Sequence, residues 1–182
     1  MYENKERELK LLLSRQKYDE ILSSCDFPVC RTQTNVYFDT PDSQVRDAGC
    51  ALRIRTTKDE RIFTLKKRID PITLIELERP IDADTIAAIR DPQVLSWLTE
   101  YHIPVQKLQP VASFTTTRRL LKLDHAELCL DQTTFAHHTD YEIEYEYFED
   151  HDGVRAFNEF LAPFGLRYEK NCSSKIARAM KD

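Results

Sequence analysis

Between Glu6 and Leu13 the chain alternates with a period of two: Glu6, Glu8 and Lys10 fall on one parity, and Leu9, Leu11 and Leu13 on the other. A strand sends successive side chains to opposite faces, so this segment predicts a strand with one charged and one leucine-rich face. The period returns along the chain. Arg53 and Arg55 alternate with Leu52 and Ile54, Thr64 and Lys66 with Phe63 and Leu65, and Glu76 and Glu78 with Ile75 and Leu77. Glu127, Cys129 and Asp131 alternate with Leu128 and Leu130, and Glu142, Glu144 and Glu146 with Tyr141, Ile143, Tyr145 and Tyr147. "TQTNVYFDTPD" adds a strand ending in a turn at Asp39–Asp42, "VASFTTTRRLL" adds another, and "CALRIRTTKDERIFTLKKR" reads as a hairpin about Thr57–Arg61.

Helical spacing interrupts this rhythm at a few places. Ser14 caps a predicted first helix running to about Cys25, with Tyr18, Ile21 and Leu22 on its apolar side. "DSQVRDAG" predicts a short helix closed by Gly49. "DADTIAAIRDPQVLSWLTEYHI" reads as helical, with Asp91–Pro92 restarting it as cap and first-turn proline. "GVRAFNEFLAPFG" places Val154, Phe157, Phe160, Leu161 and Phe164 on helical spacing, and "SSKIARAM" offers a last helix capped by Ser173 or Ser174. About eight strands in near succession, without a βαβ rhythm or a Gly-rich phosphate loop, predict an α+β fold with a large antiparallel sheet or barrel.

Antiparallel sheets commonly wet one face, which accounts for any single charged strand. It does not account for sign. An ordinary wet face mixes charges, because opposite charges across strands help and like charges side by side hurt. Here each strand is nearly pure in sign, and Glu6 and Glu8 stand roughly 6.6 Å apart by the strand rise. Closing the sheet resolves this: an eight-stranded antiparallel β-barrel, polar and charged within and apolar without, its exterior covered by the amphipathic helices. Carboxylate clusters inside suit a hard divalent cation such as Mg2+ or Mn2+. Arg and Lys clusters suit phosphate oxygens. Together they describe a site for a metal-bound polyphosphate.

Composition narrows the partners. The 182 residues suit one domain, expected over 1–182, and a net charge of −5 without a basic block argues against binding a nucleic acid duplex. The charged start "MYENKERELK" and the lack of an 18-residue apolar run argue against a signal peptide or membrane partner, and predict a cytoplasmic protein. Five cysteines without CxxC spacing argue against a disulfide framework or a structural zinc site, and the adjacent His137 and His138 point apart on any regular element.

"ERELK" matches the ExExK signature that opens the CYTH domains, also called triphosphate tunnel metalloenzymes. That group includes class IV adenylate cyclases, thiamine triphosphatases, inorganic triphosphatases and fungal RNA triphosphatases. "VYFDTPDSQVRDAGCALRIR" resembles the family's Tyr-x-Asp-Thr-Pro stretch, short helix with Gly, and Leu-Arg-x-Arg strand. "FTLK", "IELERP", "TRRLL", "LCLDQTTF", "YEIEYEY" and "SSKIARAM" follow in the family's order, so the resemblance runs from Glu6 to about Met180.

The resemblance implies a tunnel of eight antiparallel strands. It implies Mg2+ or Mn2+ on Glu6 and Glu8, with Glu142, Glu144 and Glu146 as acidic partners. Lys10, Arg53, Arg55, Lys66, Arg118 and Lys175 look like phosphate contacts. Glu76, Glu78 and Asp131 look like tunnel acids that pair with those bases or hold a second metal and its water, and with Lys10 and Lys66 they form the expected catalytic set. Parity favours Lys66 over Lys67 for the interior, and the motif favours Arg118 over Arg119, while Asp39 reads as a turn or cap residue. Where the family often carries a basic residue two positions before Arg118, this chain has Thr116. The activity implied is metal-dependent hydrolysis of inorganic triphosphate or a small organic triphosphate. The alternatives are a polyphosphate- or nucleotide-binding module without turnover, and an adenylate cyclase of the class IV type.

Overall fold

A computed structural model describes residues 5–181. Residues 1–4 and 182, which include the first part of the charged start and both ends of the expected domain span, lie outside the described residues. The eight strands are β1 (Lys5–Leu13), β2 (Val29–Asp39), β3 (Cys50–Thr56), β4 (Arg61–Arg68), β5 (Thr73–Pro80), β6 (Gln109–Lys122), β7 (Ala126–Thr134) and β8 (Thr139–Tyr147). They form one antiparallel sheet in the order β1-β5-β4-β3-β2-β6-β7-β8, and β8 returns to β1, so the sheet closes in a ring.

Closure depends on β1, which changes partner halfway. Glu6 lies opposite Leu74 of β5, whereas Glu8 lies opposite Glu146 of β8. A strand that changes neighbours leaves backbone groups to be satisfied, and Asn171 satisfies them. Its Nδ2 donates to the carbonyls of Glu8 (3.0 Å) and Pro71 (3.1 Å), and its Oδ1 accepts from the Lys10 amide at 2.7 Å.

The period-two pattern divides the side chains as the sequence reading requires. Outward apolar residues of β1, β7 and β8 (Leu9, Leu128, Leu130, Ile143) are fully buried beneath α1 (Arg15–Ser24) and α4 (Gly153–Leu161), where Ile21, Phe157 and Leu161 meet them. Outward residues of β3 and β4 (Leu52, Ile54, Phe63, Leu65) are covered by Ile86, Ile89, Val94 and Leu98. The first contacts belong to a 3-10 turn at Ile86–Ala88 and the last to α3 (Pro92–Glu100). Of the helical run expected from Asp82, only that turn and α3 form. Residue 91 must be extended ahead of Pro92, and the six residues from Thr85 to Arg90 are too few for a helix nucleus.

Caps fall where the hydroxyl and carboxylate residues predict. The Ser14, Asp91, Asp152 and Ser174 side chains accept from the first turns of α1, α3, α4 and α5 (Lys175–Ala179). Gly49 follows the short helix α2 (Gln44–Asp47) with φ +67°, a conformation side chains disfavour. At Gly153 the constraint is space: a Cβ there would come within 2.3 Å of the Tyr147 ring.

One part of the interior differs from the expected charged lining. Phe114 shares the inward parity of Thr116 and Arg118, and with Tyr37 and Phe135 it forms an apolar cluster packed by Ile176 and Ala179 of α5. The Tyr37 and Phe114 rings stack at 5.4 Å. The lumen is therefore charged through its middle and aromatic where α5 covers one end. The sequence search for charge alternation could not register a lining made of rings.

Candidate active site

The ring encloses a cavity of about 770 Å³, within the usual range for small-molecule sites. Twelve of the side chains singled out by sequence line it: Glu6, Glu8, Lys10, Arg53, Arg55, Lys66, Glu76, Glu78, Arg118, Glu144, Glu146 and Lys175. They come from six strands and α5, because an antiparallel barrel turns every second residue of every strand inward. Asp131 and Glu142 stand behind this surface, 0% and 1% exposed. Lys67 and Arg119 point outward, Lys67 donating to the Ala48 carbonyl and Arg119 to the Tyr18 hydroxyl. Asp39 lies on the cavity rim but spends its carboxylate on the amides of Thr40, Val45 and Arg46, holding the turn and α2 in place.

Around Lys175 the charges are densely paired. Its Nζ lies 2.6 Å from Glu142, 2.7 Å from Glu144 and 2.9 Å from Asp131. Burial alone would lower this ammonium's pKa, but those carboxylates raise it well above the ordinary lysine value. Arg118 grips Asp131 through Nε (2.9 Å) and Nη2 (2.7 Å), and also reaches Glu144 and, at 3.2 Å, Glu146. Burial would raise the pKa of Glu144, yet Arg118, Lys175 and Lys10 hold it well below the usual range. Lys10 sits 2.6 Å from Glu8 and 3.8 Å from Glu144; burial opposes its charge, and these carboxylates more than restore it.

Across the lumen the pairing is thinner. Arg53 donates to Thr64 (3.3 Å), Glu76 (3.1 Å) and Glu78 (3.4 Å). Lys66 bridges Glu6 and Glu76, both at 2.9 Å. Among the described residues Arg55 has only Glu78 as an ion-pair partner, at 3.9 Å, and its buried Nε has no hydrogen-bond partner. Burial, and next the charge of Arg53, push the Arg55 pKa down to about 10, so its cation is disfavoured where it stands while remaining charged at neutral pH. Opposite it in register is Asn35, 2% exposed, whose buried Oδ1 also has no partner among the described residues. Orphaned buried polar groups are rare in folded proteins. Two of them lining one cavity mark a place where a ligand would satisfy the protein.

Carboxylates gather in two lumen groups. Asp131, Glu142 and Glu144 bring ligand oxygens within 4.8 Å of one another, but Lys175 already occupies the centre of that group. Glu6, Glu8 and Glu146 make the second group, at the same mutual distance. Burial pushes the Glu146 carboxyl up to about 7, with Glu144, Glu6 and Glu8 adding to the rise and Arg118 opposing it. An oxygen-only donor set with surplus negative charge fits a hard divalent cation of the Mg2+ or Mn2+ type. A third grouping joins Glu127, Cys129 and Glu146, but burial holds the Cys129 thiol well above its ordinary pKa, away from the thiolate that a soft metal needs. Among the described residues no such grouping contains a histidine.

Sequence reasoning missed several participants. Arg178 clamps Asp140 and Glu142, each at 2.7 Å, and so ties α5 to β8. Its spacing of three from Lys175 on one helix face was the available signal. Gln33, Asn35 and Tyr37 line the lumen from β2. They share the inward parity of Asp39 but carry no charge, so a search for charged alternation passes over them. At Thr116 the expected cation is replaced by a wholly buried hydroxyl paired with Thr133 at 2.9 Å.

An antiparallel ring with its salt bridges inside and its apolar side chains outside defines a tunnel fold with a charged lumen. The chain belongs to the CYTH domain family, whose model matches residues 4–179. Over 181 residues it is 29% identical to the Bacillus subtilis (strain 168) protein named "Putative triphosphatase YjbK", covering 95% of this chain and 93% of that one. The crystal structure of "a putative adenylate cyclase" from Bacillus halodurans superposes with a TM-score of 0.86 at 27% identity, covering 98% of both chains. "Putative adenylyl cyclase HpAC1" from Hippeastrum, described with a dominant triphosphatase activity, superposes at 0.78 with 22% identity over 97% of this chain and 95% of that one, a likeness of fold. Among the described residues no helix is long and apolar enough to cross a membrane.

Proposed function

We propose that the lumen binds a triphosphate and hydrolyses its terminal phosphoanhydride bond with the help of a divalent cation. The observation that carries this reading is the division of the cavity into an under-compensated cationic wall at Arg55 and a surplus carboxylate group at Glu6, Glu8 and Glu146. A polyphosphate carrying a metal ion supplies both missing charges at once. The family's "Putative triphosphatase YjbK" supports the same reaction class.

Phosphoryl transfer needs positioning and charge neutralisation more than covalent chemistry. Arg53, Arg55 and Lys66 would hold phosphate oxygens from one wall, and Lys10 and Lys175 from the other. A divalent cation held by Glu6, Glu8 and Glu146 would supply charge neutralisation at the phosphate oxygens and polarisation of water. Glu76 takes Arg53 on one oxygen and Lys66 on the other, leaving lone pairs that can orient a water for in-line attack. The water oxygen bonds to the terminal phosphorus as the bond from that phosphorus to the bridging oxygen breaks; the remaining diphosphate part leaves with the bridging oxygen, one water proton stays on the orthophosphate, and the other passes to the leaving diphosphate oxygen or to solvent.

A screen for orthophosphate release from tripolyphosphate, ATP and thiamine triphosphate, with and without Mg2+ or Mn2+, tests the reading. Metal-stimulated release is expected from at least one, and Glu8→Gln should abolish it while the circular dichroism spectrum stays unchanged. Appearance of cAMP in place of orthophosphate would reassign the chemistry to cyclisation, and tight triphosphate binding without turnover would reassign the protein to a binding module.

A further inference from the structure

Two residues lining the cavity carry a buried polar atom with no hydrogen-bond partner among the described residues, and the two atoms are complementary. Arg55 offers a donor, Nε–H, and Asn35 an acceptor, Oδ1. They stand directly opposite each other on β3 and β2, where a cross-strand pair places its Cβ atoms about 5 Å apart. Both line the lumen, so their side chains leave the sheet on the same face. They are within reach of one another and yet unbonded. Arg55 reaches instead toward Glu78, with Nη1 at 3.9 Å, too far for a hydrogen bond. Glu78 is already engaged, taking Thr64 Oγ1 at 2.8 Å and Arg53 Nη2 at 3.4 Å.

An anion by itself cannot complete this pair. Ionised phosphate oxygens accept hydrogen bonds and do not donate them, so a phosphate answers Arg55 and leaves Asn35 Oδ1 unmet. Only a donor settles Oδ1, and the orphaned donor opposite it is Arg55 Nε. The guanidinium fork allows both at once: with Nε–H on Oδ1, the edge formed by Nη1 and Nη2 remains for two phosphate oxygens. We propose that Asn35 is a positioning residue for phosphate binding: as a phosphate group enters, Arg55 leaves Glu78, gives Nε–H to Asn35 Oδ1 and turns its two Nη groups onto the phosphate. The anion replaces the charge of Glu78, which stays held by Thr64 and Arg53, so the move strands no buried ion. A ligand shifts such an equilibrium only through contacts that one state makes and the other lacks, and the bidentate bonds are those contacts. This rests on the triphosphate reading and adds a residue to it that carries no charge.

The methylene-bridged analogue of tripolyphosphate has no anhydride bond to cleave, so calorimetry with the full chain and Mg2+ follows its binding apart from turnover. Asn35→Leu should raise its Kd roughly 10-fold, the loss of one charge-assisted hydrogen bond. The urea midpoint should stay level or rise, because an orphaned buried oxygen has been removed. In an Arg55→Met background the same substitution should add nothing, since a residue that acts through Arg55 has no effect without it. Asn35→Asp checks the reach between the two side chains with no ligand present. It should raise the urea midpoint by pairing with Arg55, and lower it in Arg55→Met, where the new carboxylate is buried alone. An unchanged Kd in Asn35→Leu, an additive effect in the double variant, no binding of the analogue by the unmodified protein, or a midpoint that Asn35→Asp lowers while Arg55 is present would each overturn the proposal. A water on Oδ1 in place of Arg55 would show as the additive outcome. The two readings fail separately. Bound analogue without phosphate release from tripolyphosphate sinks the hydrolytic one alone, and phosphate release with an unaffected Asn35→Leu Kd sinks this one alone.

Discussion

On the β7–β8 side of the lumen, Lys175 stands within 2.9 Å of three carboxylates, and Arg118 makes hydrogen bonds to two of these, Asp131 and Glu144, and to Glu146 as well. On the β3 side, Arg55 reaches one carboxylate at 3.9 Å and leaves its Nε unmet. Both walls hold buried cations on inward-facing positions, yet the burial cost is answered on one and left standing on the other. The difference separates two jobs. A saturated nest holds the ring closed and fixes the position of α5, and its Lys175 meets a phosphate with most of its charge already answered. An unsaturated wall costs stability by itself and would recover it against an anion, the way binding energy is stored in a preorganised site.

The largest effect is expected where the saturated nest loses its centre. Lys175→Met leaves Asp131, Glu142 and Glu144 buried with like charges facing one another, and breaking such a buried network by removing one partner typically costs about 3–5 kcal/mol. Denaturant unfolding at pH 7 should record that loss. A cost below about 1 kcal/mol would mean the nest is not the structural element proposed here.

A smaller and pH-dependent effect is expected at Glu146, between the walls. Its carboxyl titrates at about 7 when folded against an ordinary 4.5, so the folded protein retains a proton that the unfolded chain releases between those values. The contribution of this group to stability is whole below about pH 4.5 and is lost as pH rises to 7. Glu146→Gln does not titrate. Its side chain is 25% exposed, which moderates the penalty, and the variant should gain about 1–3 kcal/mol over the unmodified protein between pH 5 and pH 8. Millimolar Mg2+ at pH 8 should raise the Tm of the unmodified protein and not that of the variant. A constant difference across this pH range would place the surplus charge elsewhere.

At Arg55 the comparison predicts stability and activity moving in opposite directions. Arg55→Met removes a poorly answered buried cation, so unfolding free energy should stay level or rise by up to about 1 kcal/mol. KM for the triphosphate that proves to be the substrate should rise roughly 10-fold or more, the loss of one charge-assisted phosphate contact. A variant destabilised to the extent of Lys175→Met would erase the distinction between the walls.

Much of this was legible in the chain because a barrel converts a period of two into inside and outside along its strands, slipping where β6 shifts register against β2 between Tyr37 and Phe38. Lys66 against Lys67 and Arg118 against Arg119 could be separated by parity and motif alone. What parity cannot give is depth. Asp131 and Glu142 share the inward face with Glu144, yet Lys175 covers them, and only the position of α5 decides that. Nor does any local pattern announce Asn171, whose work is to satisfy β1 where that strand leaves β5 for β8, some 160 residues away in sequence. Arg55 and Asn35 read as ordinary lining residues until their neighbours are seen to leave them unmet.

The smallest effect sharpens the contrast between the two faces of one strand. Lys67 adjoins Lys66 on β4 but turns outward, where its Nζ donates to the Ala48 carbonyl beside Gly49. Lys67→Ala should alter stability by no more than about 0.5 kcal/mol, the usual range for a surface position, and leave hydrolysis unchanged. Lys66→Ala, one residue away, removes the only lysine bridging Glu6 and Glu76 among the described residues, and should abolish phosphate release. Paired kinetics and thermal melts on the two variants check this. Equal losses of activity would show that position on the strand, rather than the face it presents, governs function, and an inside-out ring could not then be the reason these charges alternate.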